Sequence, residues 1–201
     1  MIKCNVTVIG SIVRPVDLKE DRNGNPFVTF GVGVKLKGDN ESKIITISVS
    51  GNGEDEEVLN LEKGDRVKIK GNLFFKRKGD ATYYNLSAEE VKKTDKADDS
   101  IHGTVSFRGT VGSKGVAEHQ SKKGAFRTFD AFSTDKTGED QFVYTWVHFV
   151  DFAEECPEWL VPKAKIEAEG KLEFQVYCGK TSISCRVESM SEWIRENVRQ
   201  F

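Results

Sequence analysis

Alternating apolar and polar positions predict β-strands along most of this chain. Val28, Phe30, Val32 and Val34 occupy every second position, as expected when one face of a strand packs on a core. Similar alternation predicts strands at these residues: 6–12, 45–49, 67–75 and 84–88. After the third strand, an acidic run followed by two apolar residues predicts a short helix, because carboxylates stabilise a helix N-terminus. The pattern therefore predicts three strands, a short helix and two strands.

This pattern occurs twice, with an offset of 99 residues between copies. The matched positions are glycine, aromatic, aliphatic and threonine residues, which determine backbone shape and core packing. The equivalent residues of the two copies are Val6 and Val105, Gly10 and Gly109, Phe27 and Phe126, Phe30 and Phe129, Thr46 and Thr145, Leu61 and Leu160, Gly71 and Gly170, Leu73 and Leu172, and Thr82 and Thr181. At this offset, we expect Tyr144, Trp146 and His148 to point into the second core. Asp151 with Glu154 predicts a capping box for the second helix.

Three strands, a helix and two strands are the plan of the five-stranded OB barrel. The repeat therefore predicts an all-β chain of two tandem OB-fold barrels, each with a short helix between strands 3 and 4. The expected parts are OB-fold domain 1 at 1–92, a linker at 93–100, OB-fold domain 2 at 101–190 and a short C-terminal helix at 191–201. That helix would pack on the barrel or contact a partner through apolar residues at near-helical spacing: Trp193, Ile194, Val198 and Phe201.

The charge balance limits the kinds of partner. The net charge is −2, so a nucleic-acid site must be a local basic patch, not a global field. No apolar run approaches the roughly 20 residues of a membrane helix. The first ten residues lack a signal-peptide layout, so we expect a cytoplasmic protein without membrane contact.

No pattern in the sequence indicates catalysis. His102, His119 and His148 are far apart, and none has an obvious Ser or Cys partner. The four cysteines form neither a CxxC pair nor a Cys/His cluster, so we expect no metal site. Walker, HExxH and zinc-deaminase patterns are also missing from the sequence. We therefore expect a protein without catalytic residues and without a cofactor.

Several motifs, in the same order in both copies, resemble the bacterial and phage single-stranded DNA-binding protein family. In the first copy they are VTVIGSIV (6–13), NGNPFVTFGVGV (23–34), IITISVSGNGEDEE (44–57) and GDRVKIKGNL (64–73). In the second they are VSFRGTV (105–111), FRTFDAFST (126–134), TWVHFVDFAEE (145–155) and IEAEGKL (166–172). The resemblance implies an OB domain that binds unpaired DNA in replication, recombination or repair. It also implies that a homodimer would bring four OB domains together.

The chain departs from the family's pattern at two places. The family commonly has an aromatic residue just before the turn after strand 3, where the second copy has Phe149 but the first has Ser50. The family usually ends in an acidic tail that recruits replication or recombination proteins, whereas this sequence ends in SEWIRENVRQF. Recruitment of such partners by the usual tail is therefore not expected.

Binding of a single strand requires cations for the phosphates and aromatic faces for the bases. In the first copy, Phe74 on strand 4 and Tyr83 on strand 5 alternate with core-facing residues, so both are expected to point outward. The expected cations lie on the hairpins between strands 4 and 5 and between strands 2 and 3: Lys76, Arg77, Lys78, Lys35 and Lys37. These residues predict a cationic site with two stacking rings.

In the second copy, Phe132 has outward parity on strand 2, and Tyr177 lies on the strand 4–5 hairpin. Phe149 occupies the stacking position that the resemblance implies. The expected cations of this copy are Lys180, Lys122, Lys123 and Arg127. Trp146 and Trp159 are interpreted as core residues. The second site is therefore expected to be more aromatic and less cationic than the first.

Two other functions fit the same residues. An OB-scaffold module could bind a protein partner in its groove, as Ser50, the near-neutral charge and the different tail would allow. An RNA-binding OB protein would use the same chemistry, since stacking and phosphate contacts do not distinguish the two sugars.

Overall fold

Ten strands and one short helix form the described part of the chain in the computed structural model, which covers residues 1–38, 41–78, 81–122, 124–136 and 142–194. The elements are β1 (Ile2–Glu20), β2 (Pro26–Lys37), β3 (Ser42–Asn52), α1 (Glu56–Leu59), β4 (Arg66–Lys78), β5 (Ala81–Lys93), β6 (Ser100–Ser121), β7 (Gly124–Lys136), β8 (Phe142–Asp151), β9 (Lys165–Tyr177) and β10 (Lys180–Glu192). The predicted all-β class is confirmed. No helix among the described residues is long and apolar enough to cross a membrane.

The first five strands are hydrogen-bonded in the order β2-β3-β5-β4-β1, and β1 also pairs with β2. All these pairings are antiparallel except the parallel β3–β5 pair. The register of β1 with β2 shifts twice around Arg14, where bulges bend the strand. Because the first and last strands of this order also pair, the five strands form a closed circuit with no free edge among them.

The second five strands are hydrogen-bonded in the order β6-β7-β8-β10-β9, and β6 also pairs with β9. Three phenylalanines lie at the centre of their core. The Phe149 ring is 5.0 Å from the ring of Phe107 and 4.9 Å from that of Phe129, centroid to centroid, and all three side chains are buried. Aromatic packing of this kind stabilises a small core beyond the area it buries.

The chain forms two compact units. The N-terminal unit comprises Lys3–Thr104 and Leu172–Ile183, and the C-terminal unit comprises Met1–Ile2, Val105–Lys171 and Ser184–Phe201. The tips of β9 and β10 thus belong to the N-terminal unit. There Phe174 lies 6.2 Å from both Phe75 and Tyr84, centroid to centroid. Burial in this cluster raises the pKa of the Tyr84 hydroxyl.

The second copy departs from the constant offset in its third strand. Phe30 pairs with Val49 in the first copy, but its counterpart Phe129 pairs with Phe149. The offset between the two copies is therefore one residue longer in β8 than in β7. A shift of one residue turns every side chain of a strand to the opposite face. Tyr144 and Trp146 are therefore exposed, and the prediction that they point inward is wrong.

The shift arises in the connection between the two strands. Lys37 pairs with Ser42 at the end of the β2–β3 hairpin, and Lys136 pairs with Phe142 in the second copy. The second connection is therefore one residue longer than the first. Its residues, 137–141, lie outside the described part of the chain.

The first copy has the predicted helix, whereas the second does not. Asp55 is the N-cap of α1, and its side chain accepts hydrogen bonds from the backbone N–H groups of Glu57 and Val58. In the second copy, residues 152–164, all of them described, contain no helix. The predicted capping residue Asp151 instead ends β8 and accepts hydrogen bonds from Arg127 and the Ala153 N–H. Asp151 thus accepts from the N–H two residues on, as an N-cap does, but no helix follows it.

The predicted C-terminal helix is only partly within the described residues. Residues 191 and 192 belong to β10, so a helix does not begin at 191. The Trp193 ring lies 5.4 Å from the Lys165 ammonium and 5.9 Å from the Arg108 guanidinium. Val198 and Phe201, on which the helix prediction rests, lie outside the described residues.

Candidate nucleic-acid interface

The outward face of β7 and β8, called here the β7–β8 face, carries exposed aromatic rings near one end. Trp146 is 47% exposed and Tyr144 48%. The Phe132 ring lies 4.9 Å from the Trp146 ring and 5.4 Å from the Tyr144 ring, centroid to centroid. These three residues form the Trp146 cluster. Exposed rings that contact each other offer flat surfaces on which planar ligands can stack.

A second group of rings lies at the other end of the same face. The Phe126 ring stacks on His119 at 4.9 Å and on Phe152 at 5.6 Å, centroid to centroid. Phe152 is 49% exposed, and the Arg186 guanidinium lies 4.8 Å from its ring centroid. His119, Phe126 and Phe152 form the Phe152 cluster. The cluster combines ring faces with a cation, the two groups that single-stranded nucleic acids require.

An aspartate–histidine pair lies between the two clusters. Asp130 on β7 is directly opposite His148 on β8, two positions from the Phe132–Trp146 pair. The His148 Nδ1 lies 2.8 Å from Asp130 Oδ1, and the Asp130 side chain is 53% exposed. The sequence predicted a buried His148, but one third of its side chain is exposed, because β8 is shifted by one residue.

Gly112 on β6 makes room for the Trp146 ring. A Cβ at position 112 would lie 3.1 Å from a ring carbon of Trp146 and 3.1 Å from the carbonyl oxygen of Asp130. Both distances are shorter than ordinary van der Waals contacts. The lack of a side chain at position 112 therefore leaves room for the Trp146 indole.

In the N-terminal unit, Phe74, Lys76 and Tyr83 are exposed, as predicted. Phe74 is 47% exposed and Tyr83 52%. Lys76 on β4 is directly opposite Tyr83 on β5, and Phe74 is diagonal to Tyr83. Cross-strand neighbours of this kind are within reach of long side chains. The structure thus places two rings and a cation together on one hairpin.

Two predicted cations of this hairpin are only partly described. The backbones of Arg77 and Lys78 belong to β4, where they pair with Thr82 and Ala81. Their side chains lie outside the described part of the structure. Both residues remain predictions from the sequence.

Lys35 and Lys37 are exposed at the end of β2, but both contact the segment between β5 and β6. The Lys35 backbone N–H donates to Asp99 at 2.7 Å, and the Lys37 ammonium lies 3.5 Å from the Asp98 carboxylate. Arg66 also binds Asp99 and donates to backbone carbonyls of this segment. The predicted linker is therefore bound to the N-terminal unit, and its Asp98 carboxylate partly neutralises Lys37.

Other lysines of the N-terminal unit are also neutralised by a carboxylate. Glu90 on β5 forms ion pairs with Lys70 and Lys92. Hydrogen bonds from Lys70 and then Lys92 lower the pKa of Glu90 to about 2, so its carboxylate stays ionised at neutral pH. This leaves Lys76 as the exposed cation beside the exposed rings in the described part of this hairpin.

Tyr177 and Lys180 flank a tight turn within the N-terminal unit. Tyr177 is 79% exposed, and Cys178 and Gly179 between them have φ values of 49° and 68°. The Gly179 carbonyl accepts a hydrogen bond of 2.6 Å from the Lys43 ammonium. The structure thus exposes both predicted residues and fixes the turn that carries them.

Two predicted contact residues of the second copy are buried. Phe149 has no exposed surface, because the shift of β8 turns it into the core. Arg127 is 5% exposed and forms an ion pair of 3.1 Å with Asp151, itself 4% exposed. Its guanidinium also donates to the Ala153 carbonyl at 2.6 Å. Neither side chain can reach a ligand on the surface, so both site predictions are corrected here.

The strand 1–2 loop of the second copy is partly described. Lys122 is exposed in the turn between β6 and β7, as a phosphate contact requires. Lys123 lies outside the described residues.

Among the described residues, no group of three or more His, Cys, Asp or Glu could hold a metal ion.

Sequence reasoning missed Trp146, Tyr144, Phe126 and Phe152 as surface residues. A signal for the first two exists, since Phe142, Tyr144 and Trp146 alternate along β8. Large rings at every second position fit either face of a strand. Only the pairing of β8 with β7 shows which face they occupy.

Comparisons with known proteins give a family for the first copy and a fold for the chain. Residues 4–94 match the model of the Single-strand binding protein family, which confirms the resemblance for the first copy. A search of curated proteins gave no significant match. The wild-type single-stranded DNA binding protein from Thermus aquaticus has a similar structure, with a TM-score of 0.51, 13% identity and coverage of 98% of this chain and 96% of that chain. At this identity the likeness shows a shared fold.

A shorter protein is also similar in part. The small single-stranded DNA-binding protein from Streptomyces coelicolor is 17% identical, with a TM-score of 0.36. The match covers 47% of this chain and 93% of that protein.

Proposed function

We propose that this chain, whose residues 4–94 match the model of the single-strand binding protein family, binds single-stranded DNA on the β7–β8 face and on the β4–β5 hairpin. The observation that carries the proposal is the exposure of Trp146 and Tyr144 on β8 and of Phe152 just beyond its end. Rings of this size are normally buried, and stacking with bases compensates for their exposure to water.

Each unit has its own exposed rings and cations for such a ligand. The Trp146 and Phe152 clusters provide stacking surfaces, and Arg186 and Lys122 lie in the same unit as cations. The β4–β5 hairpin adds Lys76 between two further rings. Stacking tolerates any base, whereas the cations bind phosphates, so the combination favours unpaired strands over duplexes. That the second copy is the more aromatic and the first the more cationic stays a prediction from the sequence.

We further propose that the chain is a tandem duplication of the OB barrel. Both groups of five strands share one order of pairing and one additional pairing that joins the ends of that order. Five-stranded closed sheets with these connections are typical of OB folds that bind oligonucleotides. A homodimer would then combine four such barrels on one strand. Replication, recombination or repair in the cytoplasm is the setting this function implies, without catalysis.

Replacing Lys76 with glutamine is expected to remove one phosphate contact. The slope of log Kobs against log salt for a dT oligonucleotide should then become shallower by about 0.7, the value for one phosphate of a single strand. The slope can be measured by fluorescence anisotropy of a labelled oligonucleotide over a range of NaCl concentrations.

Lys68→Gln is the matched control for this measurement. Lys68 lies on the same face of β4, eight residues away, or roughly 27 Å along the strand. It should leave the slope unchanged. Equal slopes for the wild type and Lys76→Gln would remove this hairpin from the proposed interface.

A further inference from the structure

We propose that Asp130, held by His148, recognises guanine bases on the β7–β8 face. This inference rests on the proposed binding of single-stranded DNA and adds a base preference to it. The pair is the polar centre of a face whose two ends are aromatic. A carboxylate at this place would repel phosphates, so it favours a strand that turns its bases toward the face.

The strand register places the carboxylate beside a stacked base. Asp130 is two residues from Phe132 on β7, and His148 is two residues from Trp146 on β8. Two residues of a strand span about 7 Å. A base that stacks on the Trp146 cluster would therefore have its own edge, or the edge of the next base, within reach of Asp130.

His148 fixes the orientation of that carboxylate. An ionised carboxylate only accepts hydrogen bonds, so the contact of 2.8 Å requires His148 Nδ1 to carry the proton and donate it to Asp130 Oδ1. Oδ1 keeps one lone pair, and Oδ2 has two. With its side chain 53% exposed, Asp130 presents this acceptor pair to the surface.

Guanine matches two adjacent acceptors better than the other DNA bases do. Its Watson–Crick edge presents the N1–H and N2–H groups side by side, and a carboxylate can accept both at once. Thymine presents one N3–H between two carbonyl oxygens, which a carboxylate repels. Cytosine and adenine each present an amino group next to an acceptor nitrogen. The chemistry of the pair therefore selects guanine, through its 2-amino group in particular.

The test compares alternating thymine–guanine tracts with alternating thymine–hypoxanthine tracts and with dT tracts of equal length. Hypoxanthine has the N1–H and O6 of guanine but no 2-amino group. The wild-type protein should bind the guanine tract about tenfold more tightly than the hypoxanthine tract, because one hydrogen bond to a charged group accounts for a difference of about this size. In Asp130→Ala this ratio should fall to about one. The half-exposed position makes unfolding by this substitution unexpected.

Three outcomes separate this inference from the proposed function. If Asp130 acts only by repelling phosphates, Asp130→Ala will strengthen binding of all three tracts by the same factor and leave the ratio unchanged, which overturns guanine recognition. If the wild type already binds the guanine and hypoxanthine tracts equally, guanine recognition is also overturned, while the proposed function stands. If the wild type binds none of the tracts, both proposals fall together.

Discussion

Replacing Trp146 and Phe152 together with alanine is expected to weaken binding of a dT oligonucleotide by at least about 30-fold. Each ring is a stacking surface at one end of the β7–β8 face, and loss of a stacking ring costs about 1–3 kcal/mol per base. Two rings therefore account for about 2–6 kcal/mol, and every 1.4 kcal/mol is tenfold in affinity. Because the variant lacks Trp146, affinity is measured by anisotropy of a labelled oligonucleotide.

Val161→Ala is the control for this variant. Val161 belongs to the same unit, is 51% exposed and lies between β8 and β9, outside both ring clusters. Val161→Ala removes exposed apolar surface without removing a ring and should retain wild-type affinity. The single variants Trp146→Ala and Phe152→Ala should each show a smaller loss than the double variant. A double variant with wild-type affinity and an intact fold would contradict the stacking role of the face.

Asp151→Ala is expected to lower the free energy of unfolding of the C-terminal unit by about 3–5 kcal/mol. Removal of one partner of a buried ion pair leaves the other charge buried without compensation. Here that charge is the Arg127 guanidinium, with only 5% of its side chain exposed. Urea denaturation followed by tryptophan fluorescence reports this unit alone, since Trp146, Trp159 and Trp193 all belong to it.

The double variant Arg127→Met, Asp151→Leu should recover more than half of that loss, because apolar side chains of similar volume need no charge partner. The exposed pair Lys171–Glu188, at 4.0 Å in the same unit, is the control, and Lys171→Ala should cost less than about 1 kcal/mol. If Arg127→Ala kept full stability and lost DNA affinity instead, Arg127 would be a phosphate contact and not a structural residue.

The strands could be predicted because their alternation is strong and repeated. Phe30 and its counterpart Phe129 are buried, as expected from parity on the second strand of each copy. Parity also placed Phe74 and Tyr83 on the surface correctly. Such predictions depend only on neighbours along one strand, so they need no knowledge of which strands pair.

The predictions that depended on register between copies were wrong in one strand. A single additional residue before β8 turned Phe149 inward and Trp146 outward, although both residues suit either face. An alignment with a fixed offset cannot detect such a residue in a hairpin. For the same reason, the fixed offset could not predict the Asp130–His148 pair, which exists only because the shifted strand turns His148 outward.

Arg127 and Asp151 were mispredicted for a different reason. A charged residue at a strand end is usually solvated, and the sequence gives no sign that its partner lies 24 residues further on. The pairing of β7 with β8 places Arg127 directly opposite Asp151. An ion pair between distant residues can be found only once the strands are assembled.

Titration of the wild-type protein with a dT oligonucleotide, followed by tryptophan fluorescence, tests the central claim most directly. Trp146 is 47% exposed in one of the two ring clusters of the proposed stacking surface. We predict that dT quenches the fluorescence at low salt, that added NaCl reverses the quenching, and that a DNA duplex of equal length has a much weaker effect. Fluorescence that stays constant with excess dT at low salt, or equal quenching by dT and duplex, would contradict the account.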